Sequence, residues 1–353
     1  MNELREDYGF FGPDSVTWKV WSYPTSLTVG FQRAVVVEEL DPALIAAVDQ
    51  NGGVRARTRS RYDRTLRYFA LVAFGDSKTT IKAADVLVKI HAKAVGTDPL
   101  SGNRFDANDP HSQLWIHLTA WHSILYAYER YGPGRLTAEE EARYWEECAV
   151  AAELQTCEVA DVPRSRQGVR EYFEAMRPKL AGSEAAQSMM EFLLDATQIL
   201  PPTRPILRPL DQIAGRALRA ATIATMPRWM RKMGGLRQSR LTDALIAPVM
   251  RATFRLVTVD PRLELRLLKV LSPSTVSVVA PVLLEVPPRR AETPTPAEAR
   301  ERHGILPPRE EYERFRAVVT EKLAARDDAI ASDAAVVAAS KADEFEGVLG
   351  PVG

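Results

Sequence analysis

Histidine is scarce in this chain: 353 residues hold only five, His91, His111, His117, His122 and His303. Cysteine is scarcer, with Cys148 and Cys157 alone. Two cysteines exclude a disulfide framework and a cysteine-rich zinc site, and they read as reduced thiols of a cytosolic protein. Neither charge is in excess, because 46 Lys and Arg balance 46 Asp and Glu. A chain built to grip nucleic acid carries a basic surplus, so that partner is not expected. No apolar run reaches the roughly 20 residues that a spanning helix needs. The opening "MNELREDYGFFGPDS" lacks the basic start and apolar core of a secretory signal. The expected location is therefore the cytoplasm, free or peripheral to a membrane. Also missing are a glycine-rich phosphate loop, a G-x-S-x-G elbow and any internal repeat.

What the sequence does have is helical periodicity nearly throughout, with few alternating strand-like segments. Asp41-Pro42 reads as an N-cap followed by a first-turn proline. The spacing predicts helices over 61–75, 77–95 and 110–131, the last stopped by Gly132-Pro133-Gly134. Thr137 and Glu140 form the signature of a capping box. "GTDPLSGNRFDANDP", Gly96 to Pro110, is dense in turn formers and reads as irregular. "LPPTRPILRP", Leu200 to Pro209, reads as a linker-like crossing. The expected fold is all-α: one large multi-helix domain over 1–286, with helices packed in globin-like fashion around a cofactor pocket. A Pro-rich, then Ala/Glu/Lys-rich tail over 287–353 follows, partly helical and laid along the body.

Between Asp211 and Asp243 no acidic residue occurs, whereas Arg216, Arg219, Arg228, Arg231, Lys232, Arg237 and Arg240 do. Met226, Trp229, Met230 and Met233 are interleaved with them. A segment both basic and apolar can lie on an anionic membrane surface. The plainer alternative is an ordinary amphipathic helix whose charged face meets water.

Three of the five histidines sit in "DPHSQLWIHLTAWHSILYAYERYG". At about 100° per residue, His117 shares a helix face with Leu114, Trp121 and Ile124, while His122 lies about 140° away. The two cannot reach one metal ion from an unbroken helix. His91, in "VLVKIHAKAVG", faces Leu87, Val88, Ala94 and Val95. A buried histidine is most often a core residue that donates to a carbonyl. Yet two apolar helices, each with an inward imidazole, also make the kind of pocket in which an all-α domain holds haem. The cysteines read as small apolar fillers, with a thiolate haem ligand as the minor alternative.

"FGPDSVTWKV", "SRYDRTLRYFALVAFG", "VKIHAKAVG", "FDANDPHSQLWIHLT" and "YERYG" together resemble the bacterial rubber oxygenases (latex-clearing proteins) and oxygenases of the MpaB type. The likeness runs from about Phe11 to about Leu284 and is most specific at Arg61-x-x-x-Thr65 and at Asp109-Pro110…Trp115-x-His117. It implies an all-helical domain that holds b-type haem through one axial histidine and oxidises an isoprenoid double bond with dioxygen. Carried over by position, His117 would be the iron ligand, backed by Trp121. Lys89 and His91 would stand on the distal or propionate side as catalytic groups, and Arg61 and Thr65 would complete the haem contacts. Two departures stand out: Lys89 where arginine is usual, and Asp41 where many relatives have histidine before proline. Lysine lacks the two-pronged guanidinium fork, and aspartate cannot act as a nitrogen ligand. The expectation is a haem b-dependent oxygenase of an apolar, isoprenoid or lipid-like substrate. The alternatives are a haem protein without oxygenase turnover, such as a sensor or carrier, and a metal-free helical interaction protein.

Overall fold

The computed structural model describes residues 5–50, 53–98, 102–199 and 208–318. Most of the crossing expected at 200–209 and the tail beyond 318 lie outside the described residues. The described chain is all-α, with one two-stranded ribbon. Helices α1 (Val16–Trp21), α2 (Phe31–Glu38), α3 (Pro42–Gln50), α4 (Gly53–Ala56), α5 (Thr58–Phe74) and α6 (Ser77–His91) precede strands β1 (Val95–Thr97) and β2 (Arg104–Asp106). Then come α7 (Pro110–Tyr131), α8 (Ala138–Ala152), α9 (Arg166–Met176), α10 (Glu184–Leu194) and α11 (Arg208–Thr225). Helices α12 (Arg228–Met233), α13 (Arg240–Val257), α14 (Pro261–Leu271), α15 (Val276–Leu283) and α16 (Pro296–His303) follow, and residues 308–318 are helical.

Helix α7 is the axle of the fold. Asp109 caps it, its carboxylate accepting from the His111 and Ser112 amides at 3.0 Å each, with Pro110 in the first turn. Gly132 stops it: a Cβ there would lie 2.6 Å from the Tyr128 carbonyl oxygen. Buried residues recur on every side of α7, so this helix is enclosed rather than amphipathic. Its Trp115 and Trp121, with Trp21 and Trp145, are among the largest fully buried side chains. The expected caps at Asp41 and at Thr137/Glu140 are both formed.

Helix α2 lies along α7 and is entered through a π-helical turn, Ser26–Gly30. The close approach falls on Gly30, where a Cβ would stand 3.0 Å from Ile124 Cα and 3.2 Å from its Cγ1. A larger residue must therefore push the two helices apart. Gly30→Val should cost roughly 2–3 kcal/mol in urea unfolding, the overpacking penalty of a tight core, although valine is the better helix former.

The helix expected over 77–95 ends at His91. β-Branched Val95 and Thr97 instead pair antiparallel with Asp106 and Arg104, in the stretch read as irregular. Gly102, with φ +70°, closes the turn between them. The chain after α15 is laid along the body. Amides of Arg289 and Arg290 donate to the carbonyls of Arg5 and Glu6, and Glu311 is only 3 % exposed.

Candidate active site

A line of polar groups is buried along the contact of α2 and α7. Arg33, 1 % exposed, donates to Ser123 Oγ at 2.5 Å and approaches His122 Nδ1 at 3.3 Å. One turn back along α7, Thr119 Oγ1 donates to Glu38 Oε1 at 3.4 Å, and Trp115 Nε1 donates to the Glu38 carbonyl at 3.3 Å. Further back, Gln113 reaches His91 Nδ1 at 3.3 Å. From Gln113 to Ser123 this seam is about 15 Å long, at 1.5 Å per helical residue.

The charges in the seam are not paired off. Among the described residues Arg33 has no carboxylate partner, and its Nε has no hydrogen-bond partner. Burial lowers its pKa to about 10. Burial raises Glu38 and Glu39 to about 8, the latter helped by the neighbouring Glu38 charge. Both side chains are therefore largely protonated near neutral pH, and Glu39 Oε2 has no partner. Buried ionisable groups left without counter-ions are costly for stability and are concentrated at functional sites. An aromatic wall adjoins them: Phe31 packs edge-on against Tyr62 at 5.2 Å and against Phe69 at 5.1 Å.

His117, the expected iron ligand, lies outside this seam. Its Nε2 donates to the Cys148 carbonyl at 2.8 Å, and Nδ1 meets Gln155 Nε2 at 2.9 Å. Both ring nitrogens are thus engaged by protein. As folded, no lone pair of His117 is free for an iron. Its ring, 5.9 Å from that of Trp121, is a satisfied core imidazole, held neutral by burial with its pKa near 4. The thiols are equally unsuited to metal. Burial pushes Cys148 well above the ordinary thiol range and Cys157 to about 12.

His91 is placed differently. Burial, then the Arg61 charge, lower it to about 4, so its ring is neutral. Gln113 touches Nδ1, and no described residue engages Nε2. Arg61 is the common neighbour, acting electrostatically on both His91 and Glu39. Thr65, one turn from Arg61 on the same face of α5, is exposed like it.

Lys89 does not join this group. Two residues from His91, it points about 200° away round α6. It pairs with Asp85 at 2.8 Å and Glu311 at 3.1 Å, bonds that raise its pKa. The expected distal role therefore has no geometric support at Lys89. Asp41, where the resemblance leads to the expectation of histidine, caps α3 through the amides of Ala43 and Leu44. The seam's own residues, Arg33, Glu38, Glu39 and Thr119, escaped the sequence reading. The one signal for Arg33, Glu38 and Glu39 was charge at core positions in "FQRAVVVEEL".

Among the described residues no group of three or more His, Cys, Asp or Glu is placed to hold a bare metal ion. A haem iron asks for one protein nitrogen only, and a neutral, partly buried imidazole whose Nε2 no described residue engages, under the charge of Arg61, fits that need. No curated protein and no solved structure matches the chain. A family model does match, over residues 18–259: ER-bound oxygenase mpaB/B'/rubber oxygenase, catalytic domain. The matched residues span α2, α5, α6 and α7, the helices that supply the seam and His91, and the chain belongs to this family of oxygenase catalytic domains.

Proposed function

We propose that the protein is a haem b-dependent oxygenase that holds the iron through His91 and acts with dioxygen on an apolar, isoprenoid or lipid-like small molecule. The observation that carries this reading is the His91 ring: neutral, partly buried, with Nε2 engaged by no described residue, and sharing the Arg61 charge with the protonated Glu39. When bound, haem would supply the activation of dioxygen that no side chain can perform. The protein's own groups do the rest. Arg61 offers a partly desolvated guanidinium suited to a propionate carboxylate, and Arg33 is a second buried cation without an anion. Glu39, held protonated near neutral pH, keeps a proton on a carboxyl group whose Oε2 is unpartnered and can deliver it to the reacting atoms. Phe69 and Tyr62, both partly exposed and packed on the buried Phe31, would keep water away and give an apolar molecule a surface to lie on.

The purified full chain should take up haem one to one, with a Soret band and a b-type pyridine haemochrome spectrum. Given polyisoprene or short isoprenoids, it should then consume oxygen and form aldehydes or ketones. A chain that stays colourless after reconstitution would overturn the haem reading. Haem uptake without oxygen consumption across that panel would overturn the substrate reading.

A further inference from the structure

Helix α13 is apolar on two opposite faces, and only one of them is used by the fold. Ala247, Met250 and Phe254 are buried against the body. On the other side Leu241, Ala244, Leu245, Pro248, Val249, Ala252 and Leu256 are all exposed. Their spacing of three, four and seven places them in one stripe running the length of the helix. Leu241 and Leu256 are each 67 % exposed, and Val259, just past the helix end, is 78 % exposed. The helices that pack on α13 carry exposed apolar residues too: α11 exposes Leu210 and Ile213, and α14 exposes Leu263 and Val270. Single exposed leucines need no explanation, but a continuous stripe does.

Cations border it. By helical angle Arg240, Arg251 and Arg255 line one edge of the stripe. Arg240 also belongs to a cleft of about 660 Å³ lined by Arg228, Lys232 and Arg237. None of these four is in an ion pair among the described residues, and all four are exposed. The cleft's one carboxylate, Asp243, is already taken by Arg231 at 2.7 Å and Gln238 at 2.7 Å. A chain of zero net charge has thus gathered unpaired cations beside its most exposed apolar row.

We infer that this face, built from α11 to α14, docks the protein on an anionic lipid bilayer. Apolar side chains enter the acyl boundary while the arginines and Lys232 meet phosphate headgroups. Charge selects this occupant over a second copy of the chain, since an antiparallel self-pairing would set the two copies' arginine edges side by side. No described helix is long and apolar enough to cross a membrane, so attachment here is to the surface.

Vesicle flotation with the full chain tests this. Vesicles of 70 % phosphatidylcholine and 30 % phosphatidylglycerol should bind at least about tenfold more protein than pure phosphatidylcholine, and 0.5 M salt should remove most of the difference. Leu245→Asp/Val249→Asp and Arg228→Glu/Arg237→Glu should each cut binding about tenfold. All four positions are exposed, so circular dichroism and melting temperature should stay unchanged. Wild-type protein that ignores the anionic vesicles, or binding that neither variant weakens, would overturn the inference. So would a dimer in light scattering that Leu245→Asp/Val249→Asp splits while vesicle binding is absent. Haem content is not read in this assay, so its outcome is separate from that of the oxygenase reading.

Discussion

His91→Ala protein should leave reconstitution without a Soret band, whereas His117→Ala protein should keep one and be less stable. The contrast follows from the hydrogen bonds. No described residue engages His91 Nε2, so on the proposed reading its imidazole holds the iron and its removal deletes the ligand. His117 holds the Cys148 carbonyl and Gln155, so its removal strips buried polar groups of their partner. Two orphaned groups and a ring-sized void should cost roughly 2–4 kcal/mol in chemical denaturation. Exogenous imidazole should restore the Soret band to His91→Gly, which separates a lost ligand from a damaged fold. Retention of haem by His91→Ala, with loss by His117→Ala, would return the iron to His117 and require the Cys148 contact to open.

Melting temperature should fall as pH rises from about 6.5 to 8, and Glu38→Gln/Glu39→Gln should remove much of that fall. Both carboxyls are raised to about 8 in the folded chain, against about 4.3 when unfolded. Between those values the folded state binds more protons than the unfolded one, so stability declines with rising pH. The buried histidines act in the opposite direction. His91 and His117 are lowered to about 4, so stability rises with pH from about 4 to about 6.5, their unfolded value. Above about 6.5 the histidine contribution is complete and the carboxyl slope stands alone. Each carboxyl contributes at most about 1.4 kcal/mol per pH unit, and mutual repulsion spreads the pair's titration. Glutamine keeps the shape of a protonated glutamate, so the double variant should gain on wild type steadily as pH rises from 5 to 8, by up to about 1.4 kcal/mol per pH unit for each carboxyl. Glu264, also raised to about 8 by burial, will leave a residual slope. Parallel curves for the two proteins between pH 6.5 and 8 would show that the pair is ionised in the fold.

Local signals were legible in the sequence, and non-local ones were not. Asp109, Pro110 and Gly132 announced the ends of α7 residue for residue, because caps and stops act within one turn. Asp41 and the Thr137/Glu140 box worked in the same way. The all-α class followed from periodicity. Which histidine is free did not follow, because it depends on what stands opposite. His117 is satisfied by a carbonyl 31 residues away on α8, and its own helix face holds no trace of that. The ribbon at β1 and β2 was hidden by the turn formers between its strands. Lys89 is a different case: its 200° divergence from His91 was already fixed by helical geometry, and matching by position overrode it. Arg33, Glu38 and Glu39 look like surface residues by type, and only their enclosure by α7 and its neighbours makes them unusual.

The chain that returns over the body after α15 bears on how the molecule is made. Glu311 grips Lys89 on the helix of His91, Tyr312 bonds to Asp106 on β2, and Arg309 pairs with Glu158 just beyond α8. Each contact joins a residue beyond the matched segment 18–259 to one inside it. The Tyr312 and Arg309 contacts close loops of 206 and 151 residues. Loops that long close late, and during synthesis they cannot close until the far partner has left the ribosome. The helices around His91 are therefore translated early but fastened last. A nascent chain stalled before Arg309 would carry α6 and the ribbon without their clasp, leaving an interval in which the helix of His91 is made but not yet pinned by Glu311.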